Sequence, residues 1–552
     1  MTQQTTTIGR YLAERLKQIG ARHVFGVPGD YVLTFMDRLI EADIDLVDTC
    51  NELNAGYAAD GYARINGIGA VCVTYGVGGF SALNAVAGAY AEQSPLVVIS
   101  GSPAMALRGS SIMLHHSAGD LRAQMSIYEH VTVASVQLGD PATAPEQIDA
   151  TLAACLTQKR PVMIEIPADM VDRECAAPGP FEVPEPQSDP DALSEALDEI
   201  GTLLASAERP VILAGVELHR FGLLDAFETL VHMTGLPVAT TLLAKTVISE
   251  RDPHAVGVYE GAASSAEVRR LVEGADVLLS LGAWMSDVSL GVYAARLNHP
   301  PVVNANSGRV RVRHHYYEPV MLGDLVRGLN ARLKGATLAK TEFTPVSERL
   351  ASDQTVEADR KLSVKRLFGR INQLLTEDTI VVADVGDALY GAADLVMHRD
   401  IGFLGQAFYL SIGNGLPATL GAQMAAPDRP VLAIIGDGAF QMTAQDFSTI
   451  ARRKLTSTIL LLNNDGYTTE RLIHEGPYND IPAWNYHKLP EVVGGGLGLR
   501  VRTEGEFEAA LEQAAAFTDG PTLIEIMLDP RDSSDALKRM CAELPTSTKK
   551  GG

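Results

Sequence analysis

Short apolar runs, each set beside a helical pattern, constrain this chain more than any other feature. Leu96–Ser100 (LVVIS), Pro210–Ala214 (PVILA), Val277–Leu281 (VLLSL) and Val431–Ile435 (VLAII) are too short for helices and almost wholly apolar. Strands buried on both faces read this way, and their alternation with helices predicts parallel sheets covered on both sides. A chain of 552 residues exceeds what one core can hold. Two stretches interrupt the alternation. Residues 176–190 (AAPGPFEVPEPQSDP) are proline-rich, and residues 332–362 are polar without a sustained apolar period. The expected architecture is α/β: three doubly wound parallel-sheet domains at 1–177, 191–335 and 360–545.

The first and third of these share a pattern. YGVGGFSALNAVAGAYAEQSPLVVISG (75–101) runs parallel to LSIGNGLPATLGAQMAAPDRPVLAIIG (410–436), with Gly78, Pro95 and Gly101 spaced as Gly413, Pro430 and Gly436 are. βα units resemble one another by chance, but the match hints at two related domains that face each other across a shared site.

Composition excludes several classes. A net charge of −23 with no basic patch argues against holding a nucleic-acid backbone. The five cysteines are scattered and form no CxxC, so neither a disulfide framework nor a zinc site is indicated. No run approaches a membrane span, and the N-terminal stretch has no apolar signal core. The expectation is a cytoplasmic protein without membrane or nucleic-acid partners.

The strand ending at Ile435 runs into Gly436-Asp437-Gly438, and the apolar run Thr458–Leu462 ends in Asn463-Asn464-Asp465-Gly466. Together they form one βαβ unit, with Asp437 and Asn464 27 residues apart at neighbouring strand ends. Ligands bind at that edge of an open α/β sheet. A carboxylate, an amide oxygen and the Gly466 carbonyl would offer three hard oxygens, and Mg²⁺ takes about six, completing its shell with phosphates and water. Gly436 and Gly438 allow close approach of a phosphate to the backbone, ahead of a helix N-terminus. There is no G-x-x-x-x-G-K-[ST], so this is not a P-loop. Taken singly, GDG is a turn and NNDG a hairpin signal.

Four other segments carry polar groups with bland readings of their own. Glu52, in NELNAGYAADGYAR, suits a helix N-terminus. Asp30, in GVPGD, suits a turn. His115 and His116, in LHHSAGD, could be a surface pair. Glu470, in TTERLIHEGPYNDIPAWNYHKLP, could be a solvated helix start.

As a set with GDG…NN, these segments resemble thiamine diphosphate-dependent 2-oxo-acid decarboxylases, the family of pyruvate, indolepyruvate, phenylpyruvate and branched-chain 2-oxo-acid decarboxylases. The resemblance covers nearly the whole chain. It implies an N-terminal pyrimidine-binding domain, a Rossmann-like middle domain and a C-terminal diphosphate-binding domain. It implies thiamine diphosphate and Mg²⁺, the metal held by Asp437, Asn464 and Gly466. Glu52 would activate the aminopyrimidine. Thr74, Asp387, Leu410, Ile412, Gly436, Gly438, Ala439 and Tyr467 would hold the cofactor, with Ile412 bending it. Glu470 would handle the carboxylate and protonation steps, and Asp30, His115 and His116 would form a proton relay. Such positioned acids and bases are each worth about 10²–10⁴ in rate. A homodimer is the implied minimal active unit and a homotetramer is common. The family often has a small residue where this chain has Leu410.

The matching substrate-pocket positions are Val288, Val385, Leu389, Thr469, Ile473, Met540 and Leu544, aliphatic or small where pyruvate decarboxylases carry aromatics. Leu389 stands where those enzymes have Trp. The expectation is a decarboxylase that favours branched, medium-chain or aromatic 2-oxo acids over pyruvate. The alternatives are pyruvate or benzoylformate decarboxylase, or a carboligase such as acetolactate synthase. Carboligases lack the His pair with Glu470, and many bind FAD in the middle domain. RPVILAGVE (209–217) has no full G-x-G-x-x-G for a dinucleotide.

Overall fold

The computed structural model describes residues 5–108, 112–291, 295–297, 302–351, 354–398 and 402–543. Three large sheets organise them. The first is all parallel, in the order Asp45–Asp48, His23–Gly26, Gly69–Val73, Leu96–Ser102, Val162–Pro167, Ala134–Gln137. The third is also all parallel, in the order Phe403–Leu404, Ile380–Ala383, Val431–Gly436, Thr458–Asn463, Thr522–Met527, Leu497–Val501. The middle sheet is parallel from Ala255–Val258 through Val302–Asn306, then ends in two antiparallel strands, Gly308–Val312 and His315–Val320. Each apolar run picked from sequence is a central strand, because only a strand with neighbours on both sides and helices on both faces has no water to meet.

The first and third sheets have the same strand order when each is counted from its own first strand. The two sheets are therefore topological copies. The sequence match of 75–101 to 410–436 is one βα unit out of step with that copying. The helix Gly415–Ala425 precedes Val431–Gly436, the third-sheet counterpart of Gly69–Val73. Its structural equivalent is therefore the helix Glu52–Asn66, not Val77–Ala91. Successive βα units share one grammar of turn, Ala-rich helix, proline and apolar strand, so sequence alone cannot fix the register of a repeat.

These two equivalent helices cross each other. A Cβ on Gly421 would lie 1.9 Å from the Ala58 carbonyl oxygen, and one on Gly61 would lie 2.6 Å from the Ala418 backbone. The crossing merges the two units into one core, in which Val71 and Val98 share a cluster with Ala433 and Leu461. Asn51 caps the first of the pair, its Oδ1 accepting from the Asn54 N–H at 2.9 Å, and Gly67 ends it in the left-handed region. No helix among the described residues is long and apolar enough to cross a membrane.

Candidate active site

Parallel pairing sets Gly436 beside Leu462, so the GDG and NNDG turns leave the same sheet edge side by side. Asp437 is buried, and its carboxylate gathers the turns. Oδ1 accepts from the Gly438 N–H at 2.7 Å, and Oδ2 accepts from the Asn464 and Gly466 N–H groups, each at 3.1 Å. Burial pushes the Asp437 carboxyl up to about 6 despite these donors.

The two asparagines have separate tasks. Asn463 Nδ2 donates to Glu525 on the next strand at 2.8 Å. Glu525 is itself fully buried, which pushes its pKa up, yet Arg500, His487 and Asn463 hold it below the usual range. Asn464 Oδ1 is buried and has no hydrogen-bond partner among the described residues. A buried carboxylate raised in pKa and an orphaned amide oxygen, side by side, fit a hard cation. Gly436 faces open space, and a Cβ on Gly438 would lie 2.4 Å from the Tyr467 ring. The second glycine is therefore required for packing and the first leaves the backbone bare, as a close-lying phosphate needs.

These groups open into a cavity of about 630 Å³, whose walls include Asp387, Leu410, Ile412, Gly436, Asp437, Gly438, Ala439, Asn464, Gly466, Tyr467, Thr469 and Glu470. Val288, Val385, Ile473 and Met540 line it too. Leu410 adopts φ +56°, a region costly for a branched side chain. The cost arises at the Cβ, so glycine alone escapes it. Burial raises Asp387 to about 6, and its two carboxylate oxygens accept from the Ser534 N–H at 3.0 Å.

Leu389 corrects the pocket expectation. It is absent from the cavity wall and lies fully in the core with Phe368, Ile434 and Leu460. Ala388 and Tyr390 line the cavity instead. The helix Asp387–Ala393 turns the intervening residue inward, and alignment by eye cannot see that rotation. Leu544 lies outside the described residues.

Glu52, Thr74, Asp30, His115 and His116 form a second group, none of which lines this cavity within one chain. A Cβ on Gly78 would sit 3.3 Å from both Glu52 Oε1 and Thr74 Cγ2. His115 Nε2 lies 2.6 Å from Asp30 Oδ2, and His116 Nδ1 lies 3.9 Å from Asp30 Oδ1. Tyr31 stacks on His115 with ring centroids 4.7 Å apart. The chain thus carries two separated half-constellations.

Sequence reasoning missed several residues that shape these groups. Asp384, buried, accepts from the Val385, Gly413 and Gly415 N–H groups and from Asn414 Nδ2, which fixes the loop carrying Leu410 and Ile412. Arg471 donates to the Asn464 and Asp465 carbonyls at 3.0 and 2.6 Å, pinning the NNDG turn. Gly76 lets the His116 carbonyl pass, since a Cβ there would lie 2.0 Å from it. Glu260 and Asp287 bring carboxyl groups from the middle unit to the cavity. Gly76 and Asp384 had a signal in glycine-flanked turns; Glu260 and Arg471 had none.

Comparison with known proteins decides the family. Models of the thiamine pyrophosphate enzymes match in three parts: the N-terminal TPP binding domain over residues 6–127, the central domain over 197–331 and the C-terminal TPP binding domain over 384–526. The chain belongs to the thiamine diphosphate-dependent 2-oxo-acid decarboxylase family. An alpha-keto-acid decarboxylase of Mycolicibacterium paratuberculosis is 37% identical, over 99% of this chain and 98% of its own length. One from Mycobacterium tuberculosis is 36% identical over 95% and 94%. A probable pyruvate decarboxylase of Schizosaccharomyces pombe is 35% identical over 97% and 95%. Members of this family are carboxy-lyases, and thiamine diphosphate is the cofactor of the two TPP binding domains.

Proposed function

We propose that this protein catalyses the non-oxidative decarboxylation of 2-oxo acids to aldehydes and carbon dioxide, favouring branched, medium-chain or aromatic acids over pyruvate. The observation that carries the substrate reading is the aliphatic wall that Val288, Ile473 and Met540 give the cavity beyond the Asp437–Asn464 turns. Burying an apolar side chain there favours binding by about 25 cal/mol per Å².

Bound thiamine diphosphate supplies the electron sink that lets carbon dioxide leave. Asp437, Asn464 and the Gly466 carbonyl would hold Mg²⁺. Glu470 faces the substrate and moves the proton that replaces the lost carboxylate. Asp30 and His115, paired at 2.6 Å, pass protons with His116. Glu52 would hydrogen-bond the cofactor's aminopyrimidine from the other chain of a homodimer, which would assemble further into a homotetramer.

The test is carbon dioxide release, with and without thiamine diphosphate and Mg²⁺, from pyruvate, 2-oxoisovalerate, 2-oxooctanoate, phenylpyruvate, indolepyruvate and benzoylformate. Cofactor-dependent release, fastest from the larger acids, is the expected result. A preference of about ten-fold or more for pyruvate would discard the substrate reading and favour the activity named for the Schizosaccharomyces pombe relative. Acetolactate formed from pyruvate without aldehyde would point to a carboligase.

A further inference from the structure

The middle unit carries a side-chain cluster that the cofactor and substrate site does not use. The helix Leu224–Thr234 leads directly into the strand Val238–Thr240, which pairs with Ala255–Val258 and sets Val238 against Ala255. That pairing brings the last turn of the helix against the Asp252-Pro253-His254 turn. His232 Nε2 lies 2.5 Å from Asp252 Oδ2, and His254 Nδ1 lies 2.9 Å from Asp252 Oδ1. Glu228, one helical turn before His232, brings its Oε1 to 4.0 Å from the same Nε2. None of these four residues lines the cavity of Asp437 and Glu470.

The arrangement suits a cation. One donor atom from each of His232, Asp252 and His254 falls within 4.8 Å of the other two. The backbone beneath them is fixed. The Asp252 carbonyl accepts from the Ala255 N–H at 3.1 Å, and the His254 carbonyl accepts from the Val238 N–H at 2.8 Å. The two imidazole centroids are 5.6 Å apart. Two imidazoles on one tetrahedral ion, at metal–nitrogen distances of ~2.0–2.1 Å, place theirs about 5 Å apart. The Asp252 side chain is 8% exposed and that of His232 46%, so the carboxylate forms a floor and the outer side stays open. Neither Asp252 nor Glu228 pairs with a Lys or Arg among the described residues; their ion-pair partners are these imidazoles. Two carboxylates match the charge of a divalent ion, and imidazole nitrogens favour zinc-like metals over magnesium or calcium.

We propose that His232, Asp252 and His254, with Glu228 as a fourth donor, form a binding site for a divalent transition-metal ion of the zinc class, separate from the Mg²⁺ site at Asp437. The ion clamps the helix Leu224–Thr234 to the turn that starts Ala255–Val258, the edge strand of the middle sheet. It braces the middle unit and takes no part in the chemistry at Glu470.

The experiment titrates zinc chloride into tag-free, cofactor-loaded protein by calorimetry, for wild type, His232→Ala, His254→Ala and His115→Ala. Excess Mg²⁺ keeps the Asp437 turns filled. His115→Ala disables the other group of this kind, Asp30, His115 and His116. The expected result is a zinc site that survives His115→Ala and weakens by about 10²-fold or more in His232→Ala and in His254→Ala. Zinc also raises the melting temperature of the wild type above any rise in those two variants. Absence of zinc binding to the wild type overturns the proposal. So does binding that either His232→Ala or His254→Ala leaves unchanged, or binding that His115→Ala abolishes, which places the ion in the Asp30 group. Both histidines are partly exposed, so their variants keep the fold, and circular dichroism checks it. If either unfolds, carbethoxylation of the wild type, mapped by mass spectrometry, decides. Zinc protects His232 and His254 if the site is real, and equal labelling with and without zinc overturns it.

Discussion

At the scale of single residues, side chains divide by what buries them. Asp437 and Asn464 are buried at the edge of the cavity, whereas Leu389 is buried in hydrocarbon. The reading of Asp437 as a cation ligand predicts that Asp437→Ala loses about 10²-fold or more in Mg²⁺-dependent thiamine diphosphate affinity, measured by titration calorimetry. Unchanged affinity would remove Asp437 from the metal site. Leu389→Ala has the opposite signature: it costs about 2–5 kcal/mol of stability and leaves the ranking of substrates unaltered. A changed ranking would return Leu389 to the pocket wall. Asp384 supplies a pH prediction. Burial raises its carboxyl from 3.8 to about 6, so the folded chain holds that proton more tightly than the unfolded chain does. Its contribution to stability is complete below about pH 4 and is lost as pH rises through about 6, by up to roughly 3 kcal/mol. Asp384→Asn removes this component. Urea unfolding at pH 4.5 and 7 would show a smaller decline in the variant, and an equal decline would rule the carboxyl out as its source.

At the scale of elements, the helices Glu52–Asn66 and Gly415–Ala425 are the hinge of the design. The first begins at Glu52, and the second follows the loop of Leu410 and Ile412, so their crossing sets where both functional groups stand. Contact is backbone to backbone, with a Gly421 Cβ placed 1.9 Å from a carbonyl oxygen. Gly421→Ala therefore pushes the helices apart, at a cost of about 1–3 kcal/mol. Thermal unfolding checks this, and a melting temperature equal to wild type would show that the crossing can relax. The same substitution at Gly222, where a Cβ meets nothing within 4 Å but φ is +65°, serves as a control for backbone strain alone.

At the scale of the whole molecule, one chain holds Glu52 and Asp437 in separate groups, and the proposed site would draw one from each of two chains. Mixing inactive Glu52→Gln with inactive Asp437→Ala should then restore activity. A two-fold dimer with random exchange gives about a quarter of wild-type turnover, because half the dimers carry one intact site of two. Activity restored on mixing and refolding supports a shared site; none would place each complete site within one chain. The topological identity of the first and third units gives this a structural basis, since two copies of one sheet can meet across a near-symmetric interface.

The sequence alone determined whatever depends on local chemistry. Apolar runs fixed the central strands, because burial on both faces tolerates nothing else. GDG and NNDG marked the sheet edge, because each turn needs its glycine and ends its strand in an oxygen donor. The tertiary structure alone decided what depends on direction and distance. It showed which face of the helix Asp387–Ala393 meets the cavity, displacing Leu389 in favour of Ala388 and Tyr390. It set the internal repeat one βα unit away from its sequence match. It also brought Glu260, from a strand end in the middle unit, to the wall of a cavity built mainly by the third. Side-chain rotation about an element and contact between remote elements leave no local trace in the chain, whereas strand burial and turn geometry are written residue by residue.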